Sequence, residues 1–235
     1  MVARFPRWVY AVVVGLSFGC YSPKRDLSVD PYNTPLIHMI DASYDAGAAL
    51  MQWEYIGEKP VESFVLQRRD ASIFKDIDRL ARADVNAGFS TVGSFRDNDL
   101  FAGERLQYRV VAQHPDGGSV RTSAIEVQIP GAGLSEIRRD PIGLAVEVVW
   151  KTVGDGVNRY EVLRSVSGIE PETVFSTDNV QQTSFWDRSL VNNRPHTYVV
   201  RSRLNSGVEL TSRSVSVQFY REGGRHSVET LRSSE

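Results

Sequence analysis

Cysteine is nearly absent: the chain has one in 235 residues, at position 20. That excludes an internal disulfide framework and any cysteine-built zinc site. Histidine is scarce as well, and His38, His114, His196 and His226 are too scattered to suggest a metal cluster. Neither sign of charge dominates. With 27 basic and 29 acidic side chains the net charge is −2, so the chain as a whole raises no strong field toward nucleic acid or anionic lipid. Motifs for chemistry are also missing. There is no His-Glu-x-x-His zinc site, no Gly-x-x-x-x-Gly-Lys phosphate loop and no Cys–His pair. A nucleophile needs a base held beside it, and spacing nominates no partner for any of the four histidines. These residues read as a non-enzyme with no cofactor and no nucleic-acid partner. The rest of the composition, 41% hydrophobic and 24% charged, is that of a folded chain of one large or two smaller domains.

The first twenty residues have the order of an export signal. Arg4 and Arg7 precede the uncharged apolar stretch Trp8 to Phe18, which is too short for the roughly 20 residues of a spanning helix. The stretch ends in Leu16-Ser17-Phe18-Gly19-Cys20. This resembles a relaxed form of the lipobox of bacterial lipoproteins, with Ser17 and Phe18 departing from its usual residues. The resemblance implies removal of a signal peptide, 1–19, and lipid attachment (palmitate) at Cys20, which becomes the membrane anchor. A plain secretory signal with an incidental cysteine and a short uncleaved anchor are the alternatives. Residues 20–34, with two prolines and many polar side chains, read as a flexible tether. Tyr21 after the cysteine, where an Asp is absent, leans by the same resemblance to the outer membrane over the cytoplasmic membrane of the cell envelope.

The remainder repeats itself. Phe95, Asp97, Leu100, Tyr108, Val110 and Val127 match Phe185, Asp187, Leu190, Tyr198, Val200 and Val217, each pair 90 residues apart. Phe64 to Arg68 matches Tyr160 to Arg164 at a spacing of 96, and Trp53 matches Trp150 at 97. A period near 90 is a domain duplication. Within each unit apolar and polar residues alternate with period two, as in Val146, Val148 and Trp150 or Leu106, Tyr108 and Val110, and turn signals such as Asp116-Gly117-Gly118 separate the runs. That pattern predicts half-buried strands and, with about seven per unit, sandwiches of two antiparallel sheets.

Ser94-Phe95-Arg96-Asp97, Leu100-Phe101-Ala102-Gly103 and Tyr108-Arg109-Val110-Val111-Ala112, with their counterparts from Ser184 and Tyr198, resemble the fibronectin type III family. The resemblance implies an all-β fold of two tandem immunoglobulin-like (fibronectin type III) β-sandwiches, at 35–130 and 134–220, followed by a polar tail, 221–235. The tail reads as frayed or as a short surface helix. The short connection Pro130-Gly131-Ala132-Gly133 suggests a limited hinge, a modest interface and units that unfold separately. The family's corner tyrosine is replaced by Leu106 in the first unit and His196 in the second.

Three features of the sequence bear on binding. Asp84-Val85-Asn86-Ala87-Gly88 opens like a calcium loop, but Phe95 stands where the bidentate Glu would be, so a polar loop is the preferred reading and no metal is expected. Ile73 to Ala81 has helix-like spacing, yet an edge strand with Phe74 and the isoleucines facing inward is preferred, a partner helix or groove being the alternative. Trp186 lies between the inward Phe185 and Asp187, so alternation points it outward, where it could anchor a protein or stack on a sugar unless the linker, the tail or the other unit covers it. The expected role is a non-catalytic binding or spacer module of the envelope, its partner an envelope protein or a polysaccharide. The alternative is a glycan-binding accessory component of a carbohydrate-active enzyme system, acting through Trp186.

Overall fold

In the computed structural model, residues 35–70, 72–81, 90–140, 145–222 and 225–231 are described. The expected signal peptide, the expected tether and the segment Asp84–Gly88 lie outside them. Every regular element among the described residues is a strand. In the first unit β1 (Leu36–Asp45), β2 (Ala48–Ile56) and β5 (Ser90–Asp97) form one antiparallel sheet in the order β1-β2-β5. The facing sheet runs β4 (Ile73–Ala81), β3 (Ser63–Asp70), β6 (Arg105–Gln113), β7 (Ser119–Arg121), with β8 (Ile125–Gln128) also paired to β6. The second unit repeats this order. β9 (Gly131–Arg139), β10 (Val146–Val153) and β13 (Ser184–Asp187) make its smaller sheet. β12 (Glu172–Thr177), β11 (Val157–Val166), β14 (Pro195–Leu204), β15 (Glu209–Thr211), β16 (Val215–Glu222) and β17 (Arg225–Leu231) make the larger. The chain is therefore all-β, two fibronectin type III-like sandwiches in tandem.

The cores follow from the alternation. Trp53 is fully buried on β2, its ring 3.9 Å from that of Phe64 and 6.3 Å from that of Phe95. Gly93 on β5 lies against the indole, and a Cβ there would stand 2.1 Å from the ring, so this position admits no side chain. Trp150 holds the same place in the second core, with Tyr160 at 5.8 Å. Where the last strand breaks in two, one residue stitches the gap. Thr122 bonds Val110 through both its backbone N–H and its hydroxyl, and Ser212 does the same to Val200.

Three expectations are corrected. First, β4 is an edge strand, but Phe74 faces outward, because it pairs with Arg69 on the outer side of the sheet, and its ring lies under the Arg69 and Arg109 guanidiniums. Ile73 and Ile77 stay exposed, and only Leu80 packs on the core. A bulge between Leu66 and Gln67 in the pairing with β3 shifts the alternation that the inward reading assumed. Second, the polar tail is neither frayed nor helical over 225–231. It turns back as β17 and pairs with β16 from Ser216–Leu231 to Glu222–Arg225, because backbone pairing along a free edge does not depend on an apolar pattern.

Third, the segment expected to act as a hinge is itself strand. β9 begins at Gly131 and pairs with Val153. The junction is apolar and close. Leu204 and Leu210 of the second unit are buried in the core of the first, with Val157 and Val208 packed beside them. The Ala102–Gly103 turn lies on Gly131 to Gly133 so tightly that a Cβ at Gly103 would stand 2.1 Å from the Gly133 nitrogen, and Gly103 has φ +77°. Ala102 N–H donates to Thr211 O at 2.8 Å, and Ala132 N–H to the buried Ser202 Oγ at 2.8 Å.

Candidate functional site

Outward from the second core, the first polar layer is a buried triad. Asp187, at the end of β13, accepts from Arg164 Nη1 and from the Tyr198 hydroxyl, both at 2.8 Å on Oδ2, while its Oδ1 accepts the Ser189 N–H at 2.8 Å. Arg164 also meets Glu172 of β12 and the Ser189 carbonyl. Burial works against the charge on Arg164, but its bonds to Glu172 and Asp187 outweigh this and raise its pKa. Burial, with the charge of Asp187 beside it, pushes the Tyr198 hydroxyl well above its ordinary value, so it stays a donor. The first sandwich repeats the arrangement with Arg68, Asp97 and Tyr108, again at 2.8 Å for both bonds to Oδ2. Each triad ties the smaller sheet to the larger. Asp97 and its neighbour Asp99 are engaged by Arg68, which fits an anchoring role for that stretch better than cation binding.

The triad fixes the direction of Trp186. With Phe185 stacked on Phe175 of β12 (ring centroids 4.7 Å, 19° between planes) and Asp187 buried, Trp186 projects from the outer face, 37% exposed. It stands opposite Glu147 of β10 in the register. Beside it, between the edges of β12 and β13, opens a cleft of about 400 Å³ lined by Glu172, Val174, Phe185, Trp186 and Arg188 among others. The counterpart of Trp186 in the first unit, Arg96, is exposed and bonds Asn98. This is a shallow platform, one aromatic face with carboxylate and guanidinium at its rim, suited to stacking and hydrogen bonding.

The histidines are placed apart. His196 is fully buried, and its Nε2 accepts the Val191 N–H at 3.0 Å. His114 Nδ1 bonds the Pro60 carbonyl at 2.8 Å. Among the described residues no group of His, Cys, Asp and Glu is arranged to hold a metal ion. Cys20 lies outside the described residues.

Sequence reasoning gave the outward direction of Trp186 but missed the chemistry of the triads. Arg68 and Arg164 were visible as a repeat, yet an arginine on an alternating strand reads as solvent-facing until its carboxylate partner on the other sheet is known.

No protein-family model matches the chain, and no curated protein matches it. Solved structures similar to it include the FN1–FN3 domains of chicken CNTN1 (13% identity, TM-score 0.32, covering 81% of this chain and 69% of that one). Others are the fibronectin(III)-like modules of Clostridium thermocellum CbhA (13%, 0.29, 77% and 91%) and a two fibronectin type-III domain segment of chicken tenascin (14%, 0.32, 83% and 98%). The fold assignment rests on the strand order and register described above.

Proposed function

We propose that the chain is a lipid-anchored protein of the cell envelope, held by Cys20, and that its two sandwiches act as a non-catalytic binding or spacer module. The observation that carries the reading is the junction. A spacer must transmit position from its anchored end to its free end, and a shared core with backbone-to-backbone packing at Gly103 and Gly133 suits that task better than a flexible linker. The anchor is tested by Cys20→Ser, with labelled fatty acid and membrane fractionation as readouts. Lipid incorporation should vanish and the protein should move to the soluble fraction. A Ser variant that stays with the membrane, beside a wild type that takes up no lipid, would sink the anchor.

Trp186 favours a second reading, that of a glycan-binding accessory component. Its open face is 37% exposed over the β12–β13 cleft. Affinity electrophoresis through insoluble polysaccharide separates the two. Retardation that is lost in Trp186→Ala supports the glycan reading, and protein capture without retardation supports the first.

A further inference from the structure

The outer face of the β4-β3-β6-β7 sheet carries five arginines: Arg69 on β3, Arg79 on β4, Arg105 and Arg109 on β6, and Arg121 on β7. The register sets three of them in line. Arg69 pairs with Gln107, Gln67 with Arg109, and Val111 with Arg121. Arg69, Arg109 and Arg121 are therefore successive diagonal neighbours across three adjacent strands, about 7–8 Å apart at each step.

Their partners leave the charge in place. Arg69 Nη1 donates to Gln107 Oε1 and Arg109 Nε to Gln67 Oε1, both at 2.7 Å. Amide partners orient a guanidinium without neutralising it. Arg121 makes no ion pair among the described residues. Phe74 fixes the planes further, with Arg109 at 4.0 Å and Arg69 at 5.0 Å from its ring centre. Acidic neighbours are few, Asp76 being engaged by Gln67 and lying 3.9 Å from Arg79, and Glu126 standing opposite Gln107. Burial first, then the charges of Arg121 and Arg69, hold Arg109 below its ordinary pKa, against the opposing charge of Asp76.

The same face of the second sandwich is built differently. There Arg159, Arg201 and Arg203 each meet a carboxylate, of Glu161, Asp178 or Glu209. The positions matching Arg69, Arg109 and Arg121 hold Ser165, Val199 and Thr211. One repeat pairs the arginines of this face with carboxylates, and the other leaves Arg69, Arg109 and Arg121 without an ion pair among the described residues, the first two oriented by amides and Phe74.

We infer that the Arg69–Arg109–Arg121 stripe is a binding face for a linear acidic polysaccharide, whose carboxylate or ester oxyanions the guanidiniums clamp. Guanidinium planes match such oxyanions in paired hydrogen bonds. The choice of a polysaccharide over nucleic acid rests on the proposed envelope location. It is also favoured by Phe74, the aromatic of this face, being covered by two guanidiniums and so offering no platform for a base.

The test uses the full chain carrying Cys20→Ser, so that lipid plays no part. Affinity electrophoresis through polygalacturonate and retention on heparin are compared for this protein, for Arg69→Gln/Arg109→Gln/Arg121→Gln, and for Arg139→Gln/Lys151→Gln/Arg194→Gln, which removes the same charge from exposed sites elsewhere. The stripe variant should bind about tenfold more weakly or worse, with unchanged thermal unfolding, and the control should bind like its parent. Equal loss in both variants, or no binding by the parent, overturns the proposal. Tighter stripe-dependent binding to single-stranded DNA or to anionic vesicles than to either polysaccharide overturns the assigned partner. None of these outcomes depends on Cys20, so a failed anchor remains distinguishable from a failed binding face.

Discussion

His196 stands where immunoglobulin-type sandwiches use a tyrosine to tie a strand to the backbone a few residues upstream. A tyrosine hydroxyl would donate to a backbone group. His196 instead accepts, its Nε2 taking the Val191 N–H. This requires that nitrogen to be unprotonated, and the site enforces it: burial, then the nearby charge of Arg164, lowers the pKa of the imidazole. The unfolded chain binds its proton near the ordinary value of about 6.5. Below that pH the unfolded state takes up a proton that the folded state refuses, so stability is full above about 6.5 and falls as the pH drops toward the lowered folded value. His196→Gln keeps an acceptor and loses the titration. The stability advantage of wild type over this variant should therefore shrink between pH 7.5 and 5.5 in thermal melts. A gap independent of pH would show that His196 does not titrate in this window. Sequence identified the corner position and its departure from tyrosine. It could not supply the acceptor role, which depends on the Val191 N–H meeting the ring.

At the scale of elements, alternation made the inner strands legible. Leu106, Tyr108 and Val110, or Val146, Val148 and Trp150, must face one way if apolar area is to leave water, and they are buried as expected. Edges were less legible. A strand with solvent on one side and a half-open core on the other has no strict pattern, so β4 was assigned its conformation but the wrong face for Phe74, and residues 225–231 were not recognised as a strand. Their pairing with β16 consists of backbone hydrogen bonds, which composition does not report. β17 covers an edge that would otherwise offer unpaired N–H and C=O groups to another chain. A chain ending at Glu222 should lose about 1–3 kcal/mol, the hydrogen bonds given up being partly offset by the entropy regained. It should also self-associate through the bared edge of β16. Urea unfolding and light scattering at rising concentration check the two effects. An unaltered midpoint with a monomer at all concentrations would mean that β17 contributes nothing to the fold.

For the molecule as a whole, the duplication was plain from the spacing, but the coupling between its halves was not. Four small residues at 130–133 read as a linker because nothing in a sequence tells small residues that bend from small residues that let backbones meet. Gly103 and Gly131 to Gly133 are of the second kind, and Leu204 and Leu210, which alternation assigns to the second unit, complete the core of the first. Loss of one sandwich therefore exposes apolar surface on the other, and wild type should unfold in one calorimetric transition. Gly103→Ala tests the cause. Its φ of +77° disfavours a side chain, and its new Cβ would meet Gly133 backbone that cannot rotate away. A strained substitution of this kind costs more than the roughly 0.4–1 kcal/mol that Gly→Ala yields at a permissive site. The cost falls at the junction, where Ala102, Leu204 and Leu210 belong to the first core. The variant should melt in two steps, the first sandwich earlier because Leu204 and Leu210 withdraw from its core, the second nearer the wild-type temperature. Two steps in wild type, or a single unshifted step in Gly103→Ala, would show that the halves are independent and that the packing at the junction does not couple them.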